Sequence, residues 1–212
     1  KVVDMRLGES LPISERITDA QASEERFLRQ IFVRDQMTEF VREPLLMSRS
    51  DGVYYWDVND KQYLDALSGI YVVSVGHNNR RVIDAIRNQL DTLTFSPVMH
   101  GTNPLAVRLA NRLVDLAPGD MGAVKFFSGG AESTEGAIKM ARQYHLQQGR
   151  SQKHKIISRW RGYHGATLGA MAASGLPGQR NPFAPLLPDF PHIAACHPYR
   201  CAFEGCGGTC NL

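Results

Sequence analysis

Ser128, Gly129 and Gly130 stand between a short apolar run and a long stretch of helical spacing. A helix start presents unpaired N–H groups and the positive end of its dipole, and glycine lets an anion approach the backbone closely. A phosphate fits such a turn, with the Ser128 hydroxyl as a further donor. Ser-Gly-Gly before a helix is also an ordinary turn, so the motif alone leaves both readings open. There is no GxxxxGK[ST] run, and no G-x-G-x-x-G opens this helix, which argues against the common nucleotide cradles and for a different phosphate ligand. A second concentration of reactive groups lies near the other end, where Cys196, Cys201, Cys206 and Cys210 have His192 and His197 beside them. That density is compatible with zinc or an iron–sulfur cluster. The spacings x4, x4 and x3 are not the paired CxxC of zinc ribbons, so a plain loop is the alternative and no metal ligand is assigned.

The elements that position these residues follow from periodicity and punctuation. GAVKFF, Gly122 to Phe127, is short, apolar and rich in strand formers, and is expected to be a buried strand. After the glycine turn, Ala137, Ile138, Ala141 and Tyr144 keep helical spacing until Gly149. A second strand is expected over His154 to Arg159, followed by a loop from Trp160 to Thr167 and a small-residue helix near Ala166 to Ser174. Strands alternating with helices imply a mostly parallel α/β sheet. Upstream, a helix is expected from about Thr18 to Met37. GVYYWDV and QYLDAL flank the turn Asn59-Asp60-Lys61 as a hairpin. An apolar run follows from Ile70 to Val75, then a helix carrying Val82, Ile83, Ile86 and Leu90 on one face. Another helix is capped by Asn103 with Pro104 in its first turn and stopped by Pro118-Gly119. The prolines at 177, 182, 185, 188, 191 and 198 oppose regular structure beyond Gly175.

Composition narrows the class. The chain of 212 residues is 43 % apolar and 21 % charged, ordinary for a globular domain. A net charge of +3 without basic runs argues against nucleic acid as partner. No stretch approaches the roughly 18 apolar residues that span a bilayer, and the first residues carry no hydrophobic signal core, so no membrane partner and a cytoplasmic location are expected. Starting at Lys1 and stopping after a glycine-rich loop, the sequence reads as a portion of something longer.

The wording of the motifs adds what spacing does not. FFSGGAESTEGAIKMARQY resembles the phosphate motif of class III pyridoxal-phosphate aminotransferases, and RWRGYHGATLGA resembles their second cofactor motif, in the same order. DGVYYWDVNDKQYLDALSGI is similar to the family's N-terminal β unit, and VGHNNRRVIDAI to the helix after it, so the resemblance covers nearly the whole chain. It implies a fold type I α/β architecture, with residues 1–75 as an N-terminal helix and small β unit and residues 76–212 as the first part of the large cofactor domain, ending in a Pro/Gly/Cys-rich loop at 175–212. It implies that Ser128, Gly129, Gly130 and Ala131 hold the phosphate of pyridoxal 5'-phosphate, that Tyr163 stacks on the pyridine ring with His164 beside it, and that Tyr71 lines the substrate pocket. Ala131 departs from the hydroxyl residue usual at its place, which removes one side-chain hydrogen bond worth about 1 kcal/mol.

Such chemistry also needs a lysine to form a Schiff base and an acid to keep the pyridine nitrogen protonated. The family places both later, beyond Leu212, so no catalytic residue is expected within this stretch and the stretch alone is expected to be inert. Lys139 lies nine residues from Gly130 along the helix, a rise of about 13 Å, and points away from the axis. Lys125, Lys153 and Lys155 read as solvated lysines around the strands. The resemblance thus implies amino-group transfer between an amine or amino acid and a 2-oxo acid in a homodimer. Racemisation, decarboxylative transamination and elimination share the same cradle. The alternative from another class is a non-catalytic protein that binds cofactor at the Ser128–Ala131 turn or metal at the Cys196–Cys210 loop.

Overall fold

The computed structural model describes Leu28 and residues 37–97 and 99–203. Apart from Leu28 and Met37, the helix expected over Thr18–Met37 lies outside the described residues, as do Cys206 and Cys210. The chain parts into two compact units, Lys1–Gly101 and Thr102–Leu212.

In the first unit α1 (Met37–Arg42) leads into an antiparallel sheet of β1 (Met47–Asp51), β2 (Tyr54–Asp57) and β3 (Gln62–Leu64), in that order. The expected hairpin is β2–β3. Its turn is held by Asp57, whose Oδ1 accepts from the N–H of Asn59 at 2.8 Å and of Lys61 at 3.0 Å while the Tyr63 hydroxyl donates to Oδ2 at 3.0 Å. This is the side-chain-to-backbone bonding for which aspartate is favoured in turns. β1 carries the polar sequence MSRSD and no strand-like alternation. It is recruited by pairing, with the Ser48 hydroxyl donating to the Asp57 carbonyl at 2.9 Å and the Arg49 guanidinium lying 4.0 Å from the Trp56 ring centroid.

After β3 the backbone turns left-handed. Ser68, Gly69, Ile70 and Tyr71 have φ of 50°, 58°, 58° and 71°, a conformation that costs L-residues about 1–2 kcal/mol each. The run expected from Ile70 to Val75 therefore opens as a strained turn, closed by the Tyr71 N–H donating to the Leu67 carbonyl at 2.9 Å and the Val73 N–H to the Ser68 carbonyl at 3.0 Å. α2 (Arg80–Thr92) follows, with the Asn79 side chain accepting from the Val82 N–H.

The second unit opens with α3 (Pro104–Leu116), where the Asn103 side chain accepts from the Ala106 N–H at 3.0 Å and Pro104 sits in the first turn, as its sequence requires. Residues 122–127 are a correction to the expected buried strand: they form none among the described residues, and Phe126 and Phe127 are exposed. A strand exists only through a neighbour that accepts its ladder of hydrogen bonds, and no described residue pairs with this one. α4 (Gly130–Gln147) is the long helix, followed by Gly149 at φ 71°. The strand expected over His154–Arg159 shortens to β4 (Ser158–Arg159), which pairs parallel with β5 (His192–Ile193). Between them lie α5 (Leu168–Ala173), α6 (Pro177–Arg180) and a 3₁₀ turn at Asn181–Leu186, so the proline-rich stretch keeps only short helical pieces. Ala170, Ala172, Ala173 and Ser174 are buried.

Candidate active site

α4 begins at the glycine turn without a side-chain cap, since Gly129 is its N-cap. No described group accepts from the first N–H groups of this helix, at Gly130, Ala131 and Glu132. They and the dipole of an 18-residue helix face outward together. A Cβ built on Gly129 or Gly130 meets nothing within 4 Å, so the space above the turn is open to an anion's oxygens. The approach to the turn is fixed from behind: the Phe127 ring lies over Gly136, where a Cβ would come within 2.2 Å of it. Ser128, Gly129 and Gly130 are exposed and Ala131 is half-buried.

The second motif is brought to the first. Gly165 is buried at φ 129°, and a Cβ there would lie 2.5 Å from the Ala131 Cβ and 3.1 Å from the Ala170 Cβ. Only glycine permits that closure. The preceding residue is gripped through its backbone on both sides. The His164 N–H donates to Ser174 Oγ at 2.9 Å. The Thr134 hydroxyl, one turn into α4, shares its proton between the His164 carbonyl at 2.9 Å and the Gly130 carbonyl at 3.1 Å. The Gly175 N–H donates to the Gly162 carbonyl and its own carbonyl accepts from the Arg161 N–H, each at 2.8 Å, which closes the loop. On this frame the Tyr163 side chain stands 62 % exposed, with a free face for a flat ring. His164 is exposed beside it.

Glu135 joins the same arrangement from α4. Its Oε1 accepts from the Thr167 hydroxyl at 2.6 Å and the Ala170 N–H at 3.1 Å. The Thr167 bond, first, with the Ala170 and Gly169 N–H groups and the nearby Lys139, outweighs partial burial and holds its carboxyl below the ordinary glutamate value.

Tyr71 belongs to the first unit, at the end of the left-handed turn, and is 80 % exposed. The turn beneath it is organised by Asp65. Its Oδ2 accepts from the Gly69 N–H at 2.8 Å and lies 2.7 Å from His77 Nε2, and its Oδ1 accepts from the Leu67 N–H at 3.3 Å. Burial pushes the Asp65 carboxyl up, but His77, the two N–H groups and the Tyr55 hydroxyl together hold it below the ordinary carboxylate range. The Tyr55 and His77 rings lie 4.3 Å apart.

The structure thus unites Ser128, Gly129, Gly130, Ala131, Tyr163 and His164 in one unit and sets Tyr71 in the other. Thr134, Glu135, Gly165, Thr167 and Ser174 were not among the sequence candidates. Their signal is faint, since the partners lie as much as 35 residues apart and each is an unremarkable helix or loop residue by itself. Of the four cysteines, Cys196 is exposed and Cys201 half-buried, in the segment after β5.

Comparison with known proteins finds aminotransferases and transaminases over most of the chain. A probable aminotransferase of Mycobacterium tuberculosis is 45 % identical over 148 residues, 70 % of this chain and 32 % of that protein. An omega-aminotransferase of Caulobacter vibrioides is 33 % identical over 158 residues, 74 % of this chain and 36 % of that protein. The chain spans about a third of the length of these curated relatives. Among solved structures, an (S)-enantioselective omega-transaminase from Thermomicrobium roseum superposes with a TM-score of 0.81 at 36 % identity, covering 90 % of this chain and 42 % of that one. The omega-transaminase of Pseudomonas jessenii in complex with PMP gives 0.80 at 32 % identity, covering 86 % and 41 %. The expected fold type I α/β architecture is therefore the one observed. With the family described as Aminotransferase class-III matched over residues 37–210, this chain belongs to the class III aminotransferases.

Proposed function

We propose that the protein from which this chain is read transfers an amino group between an amine or amino acid and a 2-oxo acid, with pyridoxal 5'-phosphate as cofactor. The observation that carries the reading is the closure of Gly165 on Ala131, which brings an open helix N-terminus and an exposed tyrosine face into one rigid frame. When bound, the cofactor supplies an electron sink for the carbanion that forms next to the substrate's nitrogen. The turn at Ser128–Ala131 holds the phosphate through backbone N–H groups, the Ser128 hydroxyl adds a donor, and Ala131 contributes its backbone alone. Tyr163 covers one ring face and fixes its plane, with His164 at its side. Tyr71, on its left-handed turn, serves as a wall of the substrate pocket. Residues 1–75 and 76–212 are proposed as the N-terminal segment and the first part of the large domain, and the working protein as a cytoplasmic homodimer. No helix among the described residues is long and apolar enough to cross a membrane. Family membership does not favour the non-catalytic alternative at the Ser128–Ala131 turn or the cysteine loop.

The test is an amino-transfer assay of the full-length protein with a panel of amines and 2-oxo acids, run with and without added pyridoxal phosphate. Cofactor-dependent appearance of the new amine and the new oxo compound in equal amounts is expected. Cofactor uptake with racemised, decarboxylated or eliminated product would replace the reaction while keeping the site, and no uptake at all would contradict both.

A further inference from the structure

The geometry points to Glu135 as a positioning residue that fixes the separation between the phosphate turn and the Tyr163 loop, so that a ligand gripped at both ends binds far better than an anion gripped at one. The inference rests on the proposed function, in which the turn takes the phosphate and Tyr163 the ring.

Glu135 projects from the second turn of the helix whose first turn forms the seat. Its carboxylate does not face the seat. It reaches across to the segment on the far side of Tyr163, with Oε1 2.6 Å from the Thr167 hydroxyl and 3.1 Å from the Ala170 N–H. Thr167 is the N-cap of α5 and makes no cap bond of its own, so the first turn of α5 depends on Glu135 for an acceptor. Gly169 leaves the space for it, because a Cβ there would lie 2.3 Å from Glu135 Oε2. One residue earlier, Thr134 bonds the His164 carbonyl from the same helix. The loop is thereby tied to α4 at two points on the C-terminal side of Tyr163 by adjacent residues, at His164 by Thr134 and at Thr167 by Glu135. Ser174, at the end of α5, returns to His164 through the His164 N–H. Movement of α5 relative to α4 therefore moves the backbone that carries Tyr163.

Charge makes Glu135 the stronger tie. A carboxylate accepting from a hydroxyl and backbone N–H groups forms shorter and stronger bonds than a neutral acceptor. Loss of this brace leaves the seat intact, because the N–H groups of Gly130, Ala131 and Glu132 belong to α4 itself. What is lost is the fixed distance from that seat to Tyr163. The predicted signature separates positioning from general damage: weaker binding of the two-ended ligand with undiminished binding of the one-ended one.

The experiment measures dissociation constants of the full-length apoprotein for pyridoxal phosphate and for inorganic phosphate, in the parent protein and in Glu135→Ala, Glu135→Gln, Thr167→Val, Tyr163→Ala and the Glu135→Ala/Tyr163→Ala pair. The expected result is about a tenfold or greater loss of pyridoxal phosphate affinity in Glu135→Ala, less than about twofold change for inorganic phosphate, and partial rescue in Glu135→Gln. The paired variant should lose less than the product of the two single losses, because both act through the same ring contact. Equal losses for both ligands, no loss for either, or strictly multiplicative losses would overturn the assignment. If Glu135→Ala does not fold, Thr167→Val removes one arm of the brace with little change of shape and is held to the same two-ligand criterion. Failure of the parent protein to bind pyridoxal phosphate would sink the proposed function itself, an outcome distinct from a parent that binds and variants that bind equally well.

Discussion

Single residues set the approach distances in this site, and two glycines do so most directly. Gly136 lies under the Phe127 ring, with room for no Cβ. Gly136→Ala should destabilise the protein by about 1–3 kcal/mol through overpacking, read as a lower denaturation midpoint. Gly165→Ala combines a clash with Ala131 and a φ of 129°, so it should both destabilise and weaken cofactor binding. Glu135 gives a pH dependence whose sign follows from its lowered folded pKa. A carboxyl that ionises more readily when folded stabilises the fold fully above the ordinary glutamate value of about 4.3 and loses that contribution as the pH falls through the lower folded value. The stability advantage of the parent over Glu135→Gln should therefore shrink on acidification below about pH 5, as measured by denaturation at a series of pH values. A constant difference would mean that the carboxylate charge plays no part. The glycine turn that opens α4 was legible in the sequence because Ser-Gly-Gly before a helical stretch has a local cause. Glu135 was not, because its value comes from Thr167 and Ala170, which local spacing cannot bring to it.

At the scale of elements, the left-handed turn at Ser68–Tyr71 is the feature least expected from sequence. An apolar run with a β-branched isoleucine suggests extended backbone, yet Ile70 has φ 58°. The conformation is imposed from outside the run, by Asp65 bonding the Leu67 and Gly69 N–H groups and by His77 holding Asp65 in place. Strain of this kind persists only where surrounding contacts over-determine it. Asp65→Asn keeps the shape but weakens the acceptor, so amide hydrogen exchange at Gly69 and Val73 should accelerate relative to that in α2. Unchanged protection would mean that the turn is held by its own backbone bonds alone. By contrast, α2, α3 and α4 were plain in the sequence. Their apolar spacing, the Asn103 cap with Pro104 and the Gly149 stop are local causes that tertiary contacts did not override. β1 was invisible because its residues are polar and pairing with β2 alone makes it a strand.

At the scale of the whole molecule, the chain covers about a third of its curated relatives, and its described residues hold one short parallel pairing, Ser158–Arg159 with His192–Ile193. The apolar run 122–127 has strand composition without a described partner. Beside α4, a cleft of about 1000 Å3 is lined by Ile138, Arg142, His145, Leu146, Ile156 and Ile157. Burial first, then Lys153, Arg150 and Arg142, holds the His145 ring below the ordinary histidine value. An apolar run with strand formers and no described pairing partner fits a strand that is completed by pairing in the full-length protein. In the full-length protein the amides of Val124 to Phe127 should exchange slowly, and in the isolated 212-residue chain rapidly. Equal rates would mean that this run is not a sheet strand. The alternation of strand and helix signals made the α/β class readable, whereas the strand ladder could not be read because it depends on partners remote in sequence.

Whether the Ser128–Ala131 turn seats a phosphate is read from the affinity for pyridoxal phosphate against that for pyridoxal. The measurement is made on the full-length protein and on Gly130→Asp, which places a carboxylate in space that is empty around Gly130 and so spares the fold. The parent should prefer the phosphorylated form by about a hundredfold or more, and Gly130→Asp should abolish most of that preference while keeping its thermal stability. Equal affinity for the two forms in the parent, or an undiminished preference in Gly130→Asp, would mean that the turn does not seat the phosphate.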